Sequence, residues 1–318
     1  MNTTEPVQQT IAPSKEHPHT GNHHTSNHDG ENEPDPQRKS WAILALALVA
    51  QVLVVLDISV VNTALPTIGA DLQLSSGDLQ WLVTAYLLMS GGGLLLGGRI
   101  ADLLSRRRVL LTGLAVFTTA SLVSGLASTA GVLIGARAAQ GLGAALMTPA
   151  ALAIIMTTYA GVQRTKGLAM WGAVGGLGIA AGVLVGGVIT TWAGWQMIFW
   201  INVPIGIGAI VAALVLLDRN GPARAGLEQL DLPGAITAVT GLGALVFGIQ
   251  NAASDGWTSP KTVGALTVSA VLLAAFGFIE RRVRQPLVPP HTWRIKSLVS
   301  ATGVMLGVTG LLVGAVFL

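Results

Sequence analysis

From Trp41 onward the chain alternates long apolar runs with short polar loops. About 20 apolar residues, rising 1.5 Å each, cross the ~30 Å hydrocarbon core of a bilayer. Nine runs have or approach that length: 41–61, 79–98, 109–126, 132–156, 168–189, 197–217, 232–249, 263–279 and 298–318. Each predicts a membrane-spanning helix. The first 40 residues are different material. They are rich in Asn, Thr, Pro and Glu, hold five histidines (His17, His19, His23, His24 and His28), and contain almost nothing apolar. Such a segment cannot bury enough surface to offset its ordering entropy, so 1–40 reads as a disordered tail. It lacks the apolar stretch of a signal peptide. Its irregularly spaced histidines fix no ligand geometry, and no metal site is predicted.

The loops orient the helices. Arg38 and Lys39 precede the first run; Arg106–Arg108, Arg164 with Lys166, Arg219 with Arg224, and Arg281 to Lys296 follow the second, fourth, sixth and eighth. The alternate loops hold a single cation, Lys261. Cationic loops stay on the cytoplasmic side, which places the N-terminus inside and supports the span count. Two boundaries carry helix-start signals: Ser75 with Asp78 as a capping box, and Asp231 before Leu232-Pro233 as cap and early proline. Five tryptophans (Trp81, Trp192, Trp195, Trp200 and Trp257) fall near outer ends, as interfacial indoles do.

Composition agrees. The chain is 51% hydrophobic and only 10% charged, against about 25% charged in soluble domains. The net charge of +3 does not indicate nucleic acid, because the cations sit in loops between apolar runs. There are no cysteines, which excludes thiolate metal sites and cysteine nucleophiles. No phosphate-binding GxxxxGKS/T loop occurs, so ATP is not expected as a driver. Without a catalytic constellation, an enzyme is not expected either.

Two ionisable residues fall inside apolar runs: Asp57 in the first and Arg137 in the fourth. Each costs at least ~2.5–3.5 kcal/mol in lipid, so each must face a bundle interior, a water-filled path or a partner. They read as a proton or substrate site, or as a buried structural ion pair with each other. Gly98-Arg99-Ile100-Ala101-Asp102 followed by Ser105-Arg106-Arg107-Arg108 closes the second run. The arginines satisfy positive-inside anchoring by themselves. Asp102 is what anchoring does not need, and an acid beside cations makes a latch between two conformations. In the fifth run, Gly178, Gly182, Gly186 and Gly187 allow close helix approach, in ordinary small-residue packing or in something more specific.

The 98–108 stretch resembles the signature loop of the major facilitator superfamily. Gly178–Gly187 resembles the antiporter motif of its drug exporters, with Val183 at the proline position. Leu56-Asp57 through Pro66, Arg137-Ala138-Ala139-Gln140-Gly141, and Gly194 through Gly206 are similar to motifs of the EmrB/QacA-like drug/proton antiporters. The two runs at 232–249 and 263–279 resemble the extra pair of the fourteen-helix branch. The resemblance implies an all-α membrane protein with the major facilitator fold. Residues 41–217 would form the N-terminal six-helix bundle, 218–231 a cytoplasmic loop, 232–279 two linker helices, 280–297 a basic loop, and 298–318 the first helix of an incomplete second bundle.

The implied activity is proton-coupled efflux of small lipophilic or cationic drugs across the cytoplasmic membrane. It needs no cofactor beyond the proton gradient. Asp57, Arg137 and Gln140 would couple protons to substrate; Gly98, Asp102, Arg106, Arg107 and Arg108 would form the conformational latch; Gly178, Gly182, Gly186 and Gly187 would pack the antiporter helix. Because alternating access in this superfamily uses two six-helix bundles, the chain is expected to be a piece of a longer protein. The alternative is a truncated, non-transporting remnant or a half-transporter that needs a partner chain.

Overall fold

A computed structural model describes residues 36–218, 231–283, 295–297, 299–304 and 307. Among these the chain forms α1 (Pro36–Leu72), α2 (Ser76–Leu103), α3 (Arg106–Gly125), α4 (Ala130–Thr158), α5 (Gly161–Ala193), α6 (Gln196–Trp200), α7 (Asn202–Leu216), α8 (Leu232–Asp255) and α9 (Pro260–Arg282). With α6 and α7 taken as one crossing, eight stretches are long and apolar enough to span a bilayer. They coincide with the first eight predicted spans. For the ninth, residues 299–304 are helical and most of the rest lies outside the described residues, as do the histidines of the tail.

Several helices outrun the apolar runs that predicted them. α1 starts at Pro36, inside the segment read as tail, and continues through Pro66 to Leu72. Proline deprives the Asn62 carbonyl of its helical donor. Burial carries the helix on, because Ala64 and Ile68 are fully buried in an apolar cluster with Leu82, Leu133, Trp195 and Phe199. α1 stops where Gln73 takes a φ of 50° and the Leu74 amide donates to the Gly69 carbonyl at 3.0 Å, a Schellman-type end. The sixth span, predicted as one helix, runs through Gln196–Leu216. Ile201 between α6 and α7 keeps helical dihedrals and donates to the Met197 carbonyl at 3.0 Å, while Pro204 withholds the helical donor from the Trp200 carbonyl. Trp195 also has a packing role. It is buried, and its indole N–H donates to Asp71 at 2.7 Å, tying the end of α1 to α6.

The predicted starts hold. Ser75 and Asp78 form the reciprocal capping box of α2, and the Asp231 carboxylate accepts the Gly234 amide at 2.9 Å at the start of α8.

α4 is the spine of the bundle, with α2 and α3 packed along it; α5 lies along α1, and α7 against α3 and α1. α8 touches α2 and pairs with α9. Glycines set how closely α4 is approached. A Cβ on Gly97 of α2 would fall 2.0 Å from the Ala145 carbonyl oxygen, and one on Gly143 of α4 would fall 2.7 Å from the Phe117 amide. The half of the bundle at the α2–α3 turn is one apolar cluster, including Leu53, Tyr86, Leu114, Phe117 and Met147; the opposite half is the second cluster named above. Gly97→Val is expected to destabilise the protein by about 1–3 kcal/mol or more through overpacking, read as thermal unfolding in detergent. Gly91→Ala, with nothing within 4 Å of the added carbon, should be neutral or stabilising.

Candidate functional site

Five helices cross the level between the two apolar clusters, and each places a polar side chain there. α1 carries Asp57 between Leu53 of one cluster and Val60 of the other. α4 carries Arg137 and Gln140, three residues apart and so on one face. α3 carries Ser121 and Ser124 at the same spacing. α7 supplies Asn202 in its first turn, and α2 supplies Tyr86 and the carbonyl of Leu82. Asp57, Arg137, Gln140, Ser121, Ser124 and Asn202 are all buried.

These groups satisfy one another. Arg137 Nη1 donates to Asp57 Oδ2 in a direct ion pair and to Gln140 Oε1 at 2.9 Å. Arg137 Nε donates to the Leu82 carbonyl at 3.3 Å, and the guanidinium carbon lies 4.2 Å from the centre of the Tyr86 ring. This geometry adds cation–π attraction to the pairing. Gln140 Nε2 donates to Asp57 Oδ1 at 3.2 Å and to Ser121 Oγ at 2.7 Å, while Ser124 Oγ donates to Gln140 Oε1 at 3.3 Å. Asn202 Nδ2 reaches Asp57 Oδ1 at 3.5 Å. Asp57 therefore has donors on both carboxylate oxygens, and Arg137 has acceptors on two helices besides its own. Such a network is rigid while complete, and any change of charge on the carboxylate disturbs donors on α4 and α7 at once.

The predicted residues fall into three places. Asp57, Arg137 and Gln140 come together in this network. The 98–108 group lies at the α2–α3 turn. There Arg106 Nη1 donates to Thr157 Oγ1 at 3.2 Å, and Arg107 Nη2 donates to the Leu214 carbonyl at 3.0 Å, capping the end of α7. Asp102, Arg106 and Arg107 line a cavity of about 220 Å³ with Thr157 and Asp218. Asp102 and Arg108 are exposed, and among the described residues no ion pair joins Asp102 to these arginines. Gly98 makes only ordinary contact with Pro149.

The glycines of α5 form the third place, along α1. Cβ atoms added to Gly178, Gly182 and Gly186 would meet Val55 at 2.9 Å, Ser59 at 2.5 Å and Val60 at 2.9 Å, whereas one on Gly187 would meet nothing closer than Thr63 at 3.9 Å. The stripe of three flanks Asp57 on the helix that carries it. Tyr86, Ser121, Ser124 and Asn202 were not predicted as site residues. Their signal is the one that marked Asp57, polar atoms in an apolar run, in weaker form. Among the described residues no group of three His, Asp or Glu gathers as metal ligands.

Residues 47–318 match the family model of the Major Facilitator Superfamily. The chain is 43% identical over 258 residues to the puromycin resistance protein pur8 of Streptomyces alboniger, covering 81% of this chain and 50% of that protein. It is 43% identical over 250 residues to the cephamycin export protein CmcT of Amycolatopsis lactamdurans, covering 78% and 51%. It is 38% identical over 263 residues to the lincomycin resistance protein of Streptomyces lincolnensis, covering 81% and 53%. The chain thus spans about half the length of the curated relatives it matches.

Arg137→Leu strands the Asp57 carboxylate in a buried site and is expected to cost ~3–5 kcal/mol of stability. Adding Asp57→Asn should recover part of that loss in a thermal double-mutant cycle; strictly additive losses would show that the two side chains are uncoupled.

Proposed function

Because this chain belongs to the Major Facilitator Superfamily, we propose that it forms the N-terminal part of a fourteen-helix, proton-coupled exporter of small lipophilic or cationic drugs. The exporter sits in the cytoplasmic membrane with its N-terminus inside. The observation that carries this reading is the buried Asp57–Arg137–Gln140 network at mid-helix in α1. A carboxylate there has a use that anchoring and packing do not require. The printed names of the relatives, which concern puromycin, cephamycin and lincomycin, support a drug as cargo. The extra pair α8–α9 supports the fourteen-helix branch.

In the working cycle Asp57 alternates between a carboxylate paired with Arg137 and a protonated acid. Protonation removes the charge that holds Arg137 Nη1 and the Gln140 and Asn202 amides. Those donors then turn to other acceptors, and α1, α4 and α7 shift relative to one another. Substrate entering from the cytoplasmic side displaces the proton from Asp57, so that proton and substrate occupy the site in turn. Proton return down the gradient supplies about 2.3 kcal/mol per charge per 100 mV of membrane potential, and the bundle rocks against a second one around the site. The glycine contact of α5 on α1 lets that helix pair slide without side chains locking it. The Asp102–Arg108 turn, with Arg106 on α4 and Arg107 on α7, steadies one of the two end states. The transporting unit includes a second bundle, and the activity is proposed for that whole protein.

The test is export of ethidium from loaded cells expressing the whole protein, with and without a protonophore. Export should collapse with the protonophore. Asp57→Asn should abolish it when export is normalised to the amount of protein in the membrane. Normal pumping by Asp57→Asn would remove the coupling assignment.

A further inference from the structure

α8 runs antiparallel to α2, and their contacts fix the register. Toward the outer end the Trp81 and Phe247 rings are 6.1 Å apart, and Gln250 Nε2 donates to Thr84 Oγ1 at 2.9 Å. Midway, a Cβ on Gly243 would meet Leu88 at 3.0 Å, and further in, a Cβ on Gly92 would meet Val239 at 3.1 Å. On α2 the contact positions Trp81, Thr84, Leu88 and Gly92 form one stripe at helical spacing. Two turns beyond Gly92 the same stripe reaches Arg99. On α8, Asp231 lies eight residues before Val239. At 1.5 Å per residue, Arg99 and Asp231 are about 10.5 and 12 Å from the Gly92–Val239 contact, on the same side of it and so at one level of the seam.

At that level both residues hold a buried polar atom without a hydrogen-bond partner among the described residues, Nε of Arg99 and Oδ2 of Asp231. Asp231 is only 3% exposed, and its other oxygen caps α8 through the Gly234 amide. A Cβ on Gly234 would fall 2.2 Å from the free oxygen, so glycine at 234 is what leaves that oxygen its place. A half-buried guanidinium with its Nε buried and unpartnered, and a buried carboxylate with one oxygen unpartnered, occupy one end of one helix pair.

We propose that Arg99 and Asp231 close on each other as a charge clasp that fastens the α8–α9 pair to α2. The end it fastens is the one that leads into the Asp102–Arg108 turn. Closed, the clasp makes α8–α9 move with that end of α2. Open, as here, it leaves the seam held by the Gly92–Val239, Leu88–Gly243 and Thr84–Gln250 contacts alone. The extra helix pair is then a coupled part of the bundle's moving end. This inference is independent of proton coupling at Asp57.

The chain has no cysteine, so thiol cross-linking reports the seam directly. A Cβ at position 92 lies 3.7 Å from the Val239 Cβ, within disulfide range. Gly92→Cys with Val239→Cys is therefore oxidised in membranes, and its cross-linking rate is followed. Asp231→Asn keeps a good helix cap and removes the charge, and Arg99→Gln removes the other. Each alone leaves one charge of the pair without its counterpart and is expected to slow cross-linking by about threefold or more; the double neutralisation should recover most of the rate. Singles that match the parent, or a double whose slowing is the product of the singles, would overturn the clasp. A second measurement does not depend on those variants folding normally. Arg99→Cys paired with Asp231→Cys should cross-link through a short bifunctional thiol reagent faster than Arg99→Cys paired with Val239→Cys. Equal rates would equally overturn it.

Discussion

A carboxylate and a guanidinium cannot be left in hydrocarbon, and the first bundle is arranged around that constraint. Asp57 and Arg137 come from helices 80 residues apart in sequence and meet at the boundary of two apolar clusters. Their pairing alone does not complete their hydrogen bonding. The remaining positions are filled by Gln140 from the arginine's own helix, Asn202 from α7, Ser121 and Ser124 through Gln140, and the Leu82 carbonyl and Tyr86 face from α2. Five helices therefore owe their relative rotation and height to one ion pair. Moving any of them by a turn would leave a buried donor or acceptor unmet, at roughly 1–3 kcal/mol each and more for charged groups.

Close helix contact is the second condition. Without a water-driven hydrophobic force between helices, membrane bundles rely on van der Waals fit and small residues. Here the small residues are placed by helix pair. Gly97 seats α2 on α4, Gly143 seats α3 on α4, and the Gly178–Gly182–Gly186 stripe seats α5 on α1. That last contact brackets Asp57, so the helix holding the carboxylate is backed by a surface with few side chains to resist sliding. The buried ion pair and the small-residue contact share one helix.

Much of this was legible in the sequence because lipid punishes polar atoms so heavily. The eight described spans follow from apolar run length, and Asp57 and Arg137 stand out as charges inside such runs. Gln140 was reached through its motif. Ser121, Ser124, Tyr86 and Asn202 were not, because hydroxyls and single amides are ordinary in membrane helices. Only the relative rotation of helices reveals which of them meet a charge. Helix ends were misjudged for a related reason. The first apolar run ends at 61, but the burial of Ala64 and Ile68 carries α1 on through Pro66, and Trp195 is buried against its neighbours with its N–H on Asp71. Of the four glycines predicted to pack α5, Gly178, Gly182 and Gly186 meet α1 closely and Gly187 does not, a distinction that appears only once α1 is seen beside them.

The central claim is that the Asp57 carboxylate exchanges a proton against substrate, and proton release on binding tests it most directly. Ethidium would be added to the purified whole protein in weakly buffered detergent solution, with a pH-indicator dye as the readout. The account predicts release of about one proton per bound ethidium under conditions where Asp57 starts protonated, and no release from Asp57→Asn that still binds ethidium. Undiminished release from that variant would contradict it, as would binding by the unaltered protein with no release at any pH where it binds.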